Sequence, residues 1–222
     1  MRLGTYYRWL LSEFLGLLPE SHERVLDVGC HDGYFLSRVT CRLKVAVDLE
    51  PDHAGFYPVW PADGRRLPFA DETFERVYLL DVIEHVEDYG TILIEAVRVL
   101  RSGGTLWIST PSLHWWVVPP FLTWVLDWRW GHVRRGHTVE DIQAYLPPAC
   151  QVTPTLWNMP YFRSFYFPVR VLWSLWPALG RRSLAWIARK DRHSPPGKAG
   201  HLFVRVTRPR SETMTKSQDQ IA

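Results

Sequence analysis

The chain has 222 residues, 46% of them hydrophobic and 22% charged, which suits one packed domain with an embellishment and argues against two full domains. Its net charge of +3 is uneven: residues 1–150 carry 14 Lys and Arg against 20 Asp and Glu, and residues 151–222 carry 12 against 3, a surplus that points the C-terminal third toward an anionic partner. Three scattered cysteines, Cys30, Cys41 and Cys150, exclude a disulfide framework, and no C-x-x-C or His-rich spacing marks a metal site, so no metal is expected and a reducing, cytoplasmic setting is.

Residues 1–21 read as an amphipathic N-terminal helix, because the apolar run Tyr6–Leu18 is interrupted by Glu13 and no small-residue cleavage site follows it. Short β-branched runs then alternate with helical patterns. Val25–Gly29, Val45–Leu49, Val59–Ala62, Arg76–Leu80 and Thr105–Thr110 read as strands, and Tyr34–Cys41 and Gly90–Leu100 as helices, the second stopped by Ser102-Gly103-Gly104. This alternation predicts an α/β fold with a Rossmann-like, doubly wound sheet over residues 22–112, mostly parallel.

Beyond Pro111 the pattern changes. A Trp-rich stretch from His114 to Trp130 leads to the loop G-H-V-R-R-G-H-T and a helix start at Thr138, with Asp141 in the N3 place of a capping box. Cys150–Trp157 and His201–Thr207 read as late strands, one of them antiparallel, and Tyr166–Lys190 as helical pieces broken by Pro168 and Pro177. Residues 113–208 are thus expected to form an aromatic-rich helical cap with the last strands, followed by a disordered tail over 209–222.

In an open α/β sheet the ligand lies outside the carboxyl ends of the strands. Gly29 and Gly33 bracket the first strand-to-helix turn, Asp48 ends the second strand where a carboxylate can accept ribose hydroxyls, and Asp63 follows the third in position to accept from an exocyclic amine. A G-x-G-x-x-G phosphate fingerprint is absent, since His31 takes its second glycine place, and a cofactor without phosphate is favoured. His31 leaves the backbone path unaltered if its φ is negative.

D-V-G-C-H-D-G at 27–33, V-D-L at 47–49, D-G-R-R-L-P-F-A-D-E-T-F-E-R-V at 63–77, D-V-I-E-H-V at 81–86 and L-R-S-G-G-T-L-W-I-S-T-P at 100–111 together resemble successive motifs of class I S-adenosylmethionine-dependent methyltransferases of the type 11 subgroup. The resemblance spans residues 22–112 in consistent order. It implies S-adenosyl-L-methionine as cofactor, with Asp27, Gly29, Cys30 and Gly33 at its methionine end, Asp48 and Leu49 at the ribose and adenine, Asp63 and Gly64 at the adenine amine, and Leu80, Asp81 and Val82 at the methionine backbone. The implied reaction is in-line methyl transfer to an O, N or C nucleophile. His85 and His132 are the leading candidates for a base, with His114 and His137 behind them, and Arg134 and Arg135 for an acidic group on the acceptor.

The cap mixes Trp and Leu with Arg, and no stretch reaches the roughly 20 apolar residues of a membrane span. It predicts a small, apolar or lipid-linked acceptor and a candidate anionic membrane surface, whereas nucleic acid is disfavoured because aliphatic residues dilute the basic ones. A nicotinamide-dependent oxidoreductase and a non-catalytic cofactor-binding member of the fold remain as alternatives.

Overall fold

The run Val77–Leu80 is apolar without a break and Val25–Val28 is apolar but for Asp27, and in the computed structural model both lie buried inside a sheet covered on its two faces. The structure describes residues 22–51, 55–198 and 200–210, with Tyr6, Trp9, Leu10, Glu13 and residues 18–20 before them. Most of the expected helix over 1–21, and the tail beyond Arg210, lie outside the described residues.

The strands are β1 (Arg24–Val28), β2 (Leu43–Asp48), β3 (Trp60–Pro61), β4 (Phe74–Leu80), β5 (Leu100–Pro111), β6 (Gln151–Trp157) and β7 (His201–Thr207). They form one sheet in the order β3-β2-β1-β4-β5-β7-β6, and the order of travel reverses between β1 and β4. The first five pair in parallel; β7 runs antiparallel to both β5 and β6. The sheet is therefore completed from beyond residue 112. Alternation along β4 divides the core, with Tyr78 and Leu80 in one apolar cluster and Val77 and Leu79 in the other.

Helices α1 (Tyr34–Ser37) and α2 (Tyr89–Val99) follow β1 and β4. The expected helix to Cys41 stops early because Lys44 Nζ donates to the carbonyls of Leu36 and Val39, at 3.1 and 2.9 Å, where a continuing helix would place backbone N–H groups. The third strand is shorter than expected. The fifth is longer: α2 ends at Val99, and Ser102-Gly103-Gly104 lies inside β5 at a register shift, with Gly103 N donating to Arg208 O at 3.0 Å, so that it bulges a strand instead of stopping a helix.

The cap comprises α3 (Leu122–Trp130), α4 (Val139–Gln143), α5 (Pro160–Leu175) and α6 (Pro177–Asp191). Thr138 caps α4 as expected: its hydroxyl accepts from Asp141 N and its N–H donates to the Asp141 carboxylate. Pro177 opens α6, but Pro168 does not break α5, which runs through it. The lost hydrogen bond is outweighed by packing along α6, where the two backbones come so close that a Cβ on Gly180 would lie 2.6 Å from Trp173 Cα. The far end of α6 holds the near end of α5: the buried Asp191 carboxylate accepts from Tyr161 N and Phe162 N, both at 3.0 Å. No helix among the described residues is long and apolar enough to cross a membrane.

Candidate active site

A cleft of about 1240 Å³ opens at the carboxyl ends of β1, β2 and β4, roofed by α3 and α5. Its sheet-side wall begins with the turn after β1. Gly29 has φ +72, and a Cβ there would lie 2.5 Å from Val82 Cγ2, so only glycine lets the turn pack this closely on the end of β4. His31 does not meet the condition of a negative φ. It stands at φ +53, the left-handed geometry that glycine adopts more readily, and the strain is met by a bond from its N–H to Asp48 Oδ2 at 2.7 Å. The other Asp48 oxygen accepts from Glu50 N at 3.0 Å, so the carboxylate ties the β1 turn to the end of β2 while facing the cleft.

Leu49, Gly64, Asp81 and Val82 also line the cleft. So does Asp63, but its carboxylate is gripped by Arg65 at 2.7 Å, and that hydrogen bond holds it below the usual carboxylate range. Asp27, Cys30, Gly33 and Leu80 are buried and form no part of the wall; burial pushes the Cys30 thiol far up, with Asp27 adding to the shift. All three cysteines are free.

Asp81 sits at the centre with φ +54. Its N–H donates to Ser109 O at 2.9 Å, its Oδ1 accepts from Ser109 Oγ at 2.6 Å, and His201 Nε2 lies 3.4 Å from the same oxygen. Three strands thus converge on one carboxylate. Ser109 and His201 carry no spacing signal in the sequence, because β4, β5 and β7 become neighbours only in the sheet.

His85 and His132, separated by the whole of α2, β5 and α3, meet with ring centroids 4.9 Å apart. His85 follows β4 on a 3-10 turn, Ile83–His85, and its Nδ1 lies 3.2 Å from Gly131 O; His132 Nδ1 lies 3.2 Å from Asp127 Oδ1. Both rings line the cleft, as does the buried Glu84, which accepts from Thr110 Oγ1 at 3.3 Å. The other candidates lie elsewhere. His137 is buried against Thr110 Oγ1 at 3.1 Å, and burial holds its pKa down to about 4, while His114 is exposed and off the wall. Arg134 stacks over Tyr89 and Arg135 Nε reaches Asp127 at 3.8 Å, so both serve the loop itself.

The opposite end of the cleft is aromatic. Trp115, Trp130, Phe162, Tyr166 and Trp173 line it, with Arg129 and Arg170 among them. The sheet-side wall fits an adenosyl-methionine group: His31 Nδ1 is buried with no hydrogen-bond partner among the described residues, the Asp48 carboxylate faces the same space, and nothing in the β1 turn is built for a pyrophosphate.

Residues 26–108 match a family model described as a methyltransferase domain. A probable S-adenosylmethionine-dependent methyltransferase of Mycobacterium tuberculosis is 35% identical over 97 residues, covering 40% of this chain and 35% of the relative. The matches cover well under half the length of the curated relatives, 35%, 38% and 42% in three cases. A solved putative sarcosine dimethylglycine methyltransferase from Galdieria sulphuraria superposes with a TM-score of 0.60 at 14% identity, covering 91% of this chain and 85% of that one. The N-methyltransferase NodS from Bradyrhizobium japonicum, solved with S-adenosyl-L-homocysteine, gives 0.53 at 17%, covering 92% and 86%. At these identities the structural likeness is one of fold.

Proposed function

We infer that this chain, whose residues 26–108 are a class I S-adenosylmethionine-dependent methyltransferase domain of the type 11 group, moves a methyl group from S-adenosyl-L-methionine to a small, apolar or lipid-linked acceptor. The observation that carries the reading is the two-ended cleft: a carboxylate-and-glycine wall at the sheet edge faces an aromatic wall supplied by the cap. A nicotinamide dinucleotide is poorly suited, because its pyrophosphate needs a glycine-rich loop at a helix N-terminus and this turn has neither the second glycine nor a long helix behind it.

When bound, the cofactor supplies an electrophilic methyl group on a sulfonium. Asp48 would accept the ribose hydroxyls beside the bonds it receives from His31 N and Glu50 N, and Gly29, without a side chain, leaves room for the cofactor along the β1 turn, whose N–H groups at Gly29 and Cys30 donate to Val47 O. Trp115, Phe162 and Tyr166 hold the acceptor's apolar body and exclude water. Holding the two partners in line replaces about 7–11 kcal/mol of entropic and solvent cost. His85 and His132, both on the cleft wall, would receive the acceptor's proton if it enters protonated, Asp127 and the Gly131 carbonyl fixing the ring orientations. Arg129 and Arg170 favour an acceptor carrying an anionic group beside its apolar body.

Calorimetric titration with S-adenosyl-L-homocysteine tests the reading. Saturable binding at one site per chain is expected, weakened about tenfold to a hundredfold in Asp48→Ala, the cost of losing hydrogen bonds to a charged acceptor. A chain that shows no saturable binding does not have this function.

A further inference from the structure

We propose that Glu84, His85 and His132 form a site for one divalent first-row metal ion, zinc by preference, in the wall of the cleft. One ligand atom from each residue lies within 4.8 Å of the others. Two imidazole nitrogens and a carboxylate oxygen are a donor set that zinc accepts, leaving further positions open to the cleft. Zinc bonds of ~2.0–2.2 Å require ligand atoms roughly 3.3 Å apart. The site as it stands is wider than that, and its closing on the ion, with the Nδ1 hydrogen bonds of both rings kept, is part of the proposal.

The surroundings of the two rings provide the second observation. The Nδ1 of His132 faces the Asp127 carboxylate and the Nδ1 of His85 faces the Gly131 carbonyl, each at 3.2 Å. Both acceptors require a proton on Nδ1, which leaves Nε2 as the basic nitrogen of each ring. Metal-binding histidines almost always give their other ring N–H to a carboxylate or a backbone carbonyl in this way, which fixes tautomer and direction together. Both kinds of partner occur here, on two histidines that already touch. Glu84 is 1% exposed. A cation beside this buried carboxylate offsets the cost of taking its charge out of water.

Ion binding does not depend on the methyl-transfer reading, but its consequence rests on it. An acceptor hydroxyl bound to the ion becomes more acidic and loses its proton to water, so the ion takes over from the imidazoles the task of baring the attacking oxygen. That oxygen then forms its bond to the methyl carbon as the carbon–sulfur bond breaks, the electron pair staying on sulfur.

The test uses the untagged full chain, stripped with a chelator and titrated with Zn²⁺ by calorimetry and with Co²⁺ by visible absorption. One high-affinity ion per chain is expected. His132→Ala and Glu84→Gln should abolish it, and Asp127→Asn should weaken it by about 10–100-fold, as loss of an outer-shell partner does. S-adenosyl-L-homocysteine binding, measured on the same samples, reports whether each variant is folded. Ion binding lost in variants that still bind the nucleoside supports the site. No high-affinity Zn²⁺ in a wild-type chain that binds the nucleoside overturns it, as does Zn²⁺ binding indifferent to both His132→Ala and Glu84→Gln. Zn²⁺ binding without nucleoside binding upholds the site and removes the methyl-transfer reading instead.

Discussion

At the scale of single residues, the cleft depends on side chains whose environments differ sharply although their types do not. His137 and His132 lie close in sequence, yet His132 faces the cleft and His137 is sealed against Thr110 and Tyr89. Burial holds the His137 imidazole down to about 4, against 6.5 for the ordinary group. Between those values the unfolded chain binds the proton that the folded chain refuses, so the folded state loses stability as pH falls through that window, and this group takes nothing further below it. The loss is on the order of 3 kcal/mol. Urea unfolding midpoints measured from pH 7 to pH 4 should fall less steeply in His137→Gln than in the wild type. Equal slopes would place the pH dependence in other groups. Asp48 and Gly29 were legible from the sequence because a strand end and a turn announce themselves within a few residues. The positive φ of His31 was not, since its cause is a bond to Asp48 across the sheet edge.

At the scale of elements, local signals succeeded where the chain acts on itself and failed where another element decides. The capping box at Thr138 is written in four consecutive residues, and it forms. Pro168 carries an equally local signal, and it is overruled by the packing of α5 against α6, which no window of sequence contains. The same packing rests on Asp191, whose carboxylate receives two backbone N–H groups at the start of α5 while its own carbonyl accepts from Trp157 Nε1 at 2.6 Å. Replacing it with alanine removes the carboxylate from one part-buried and one buried N–H at the start of α5, a cost of about 1–3 kcal/mol. Thermal unfolding of Asp191→Ala should come several degrees lower, with S-adenosyl-L-homocysteine binding retained at low temperature. An unchanged melting temperature would mean that the two helices do not need this clamp.

At the scale of the whole molecule, the parallel half of the sheet could be read from alternating strands and helices, and the likeness of residues 26–108 to a methyltransferase domain from five motifs in register. The aromatic wall could not, because Trp115, Trp130, Phe162 and Tyr166 come from a loop and two helices that only the folded cap brings together. Outside the cleft, Phe121 just before α3 and Trp124 and Trp128 on it are 74%, 74% and 75% exposed, and the C-terminal third carries 12 basic residues against 3 acidic. Aromatic side chains of this kind sit at headgroup depth when cations nearby face anionic lipid. Co-sedimentation with vesicles containing phosphatidylglycerol at low salt should retain the wild-type chain and lose most of the Trp124→Ala/Trp128→Ala double variant. A wild-type chain left in the supernatant would remove the membrane from the reading and leave the apolar acceptor standing.

One pairing in the sheet bears on how the cap is attached and where it can vary. Trp157, the last residue of β6, is the direct partner of His201, the first of β7. The polypeptide between them, with α5 and α6 and the residues Phe162, Tyr166 and Trp173, therefore leaves the sheet and rejoins it on a single rung. The segment adds no strand to the sheet, yet it is tied to it by more than that rung: Phe162, Tyr166, Leu184 and Ile187 share an apolar cluster with Val25, Leu80 and Phe203, and Asp191 O accepts from Trp157 Nε1 at the end of β6. Variation between Trp157 and His201 should therefore concentrate on the positions that face the cleft, such as Trp173, and spare the buried ones, such as Leu184 and Ile187, that hold the segment to the sheet.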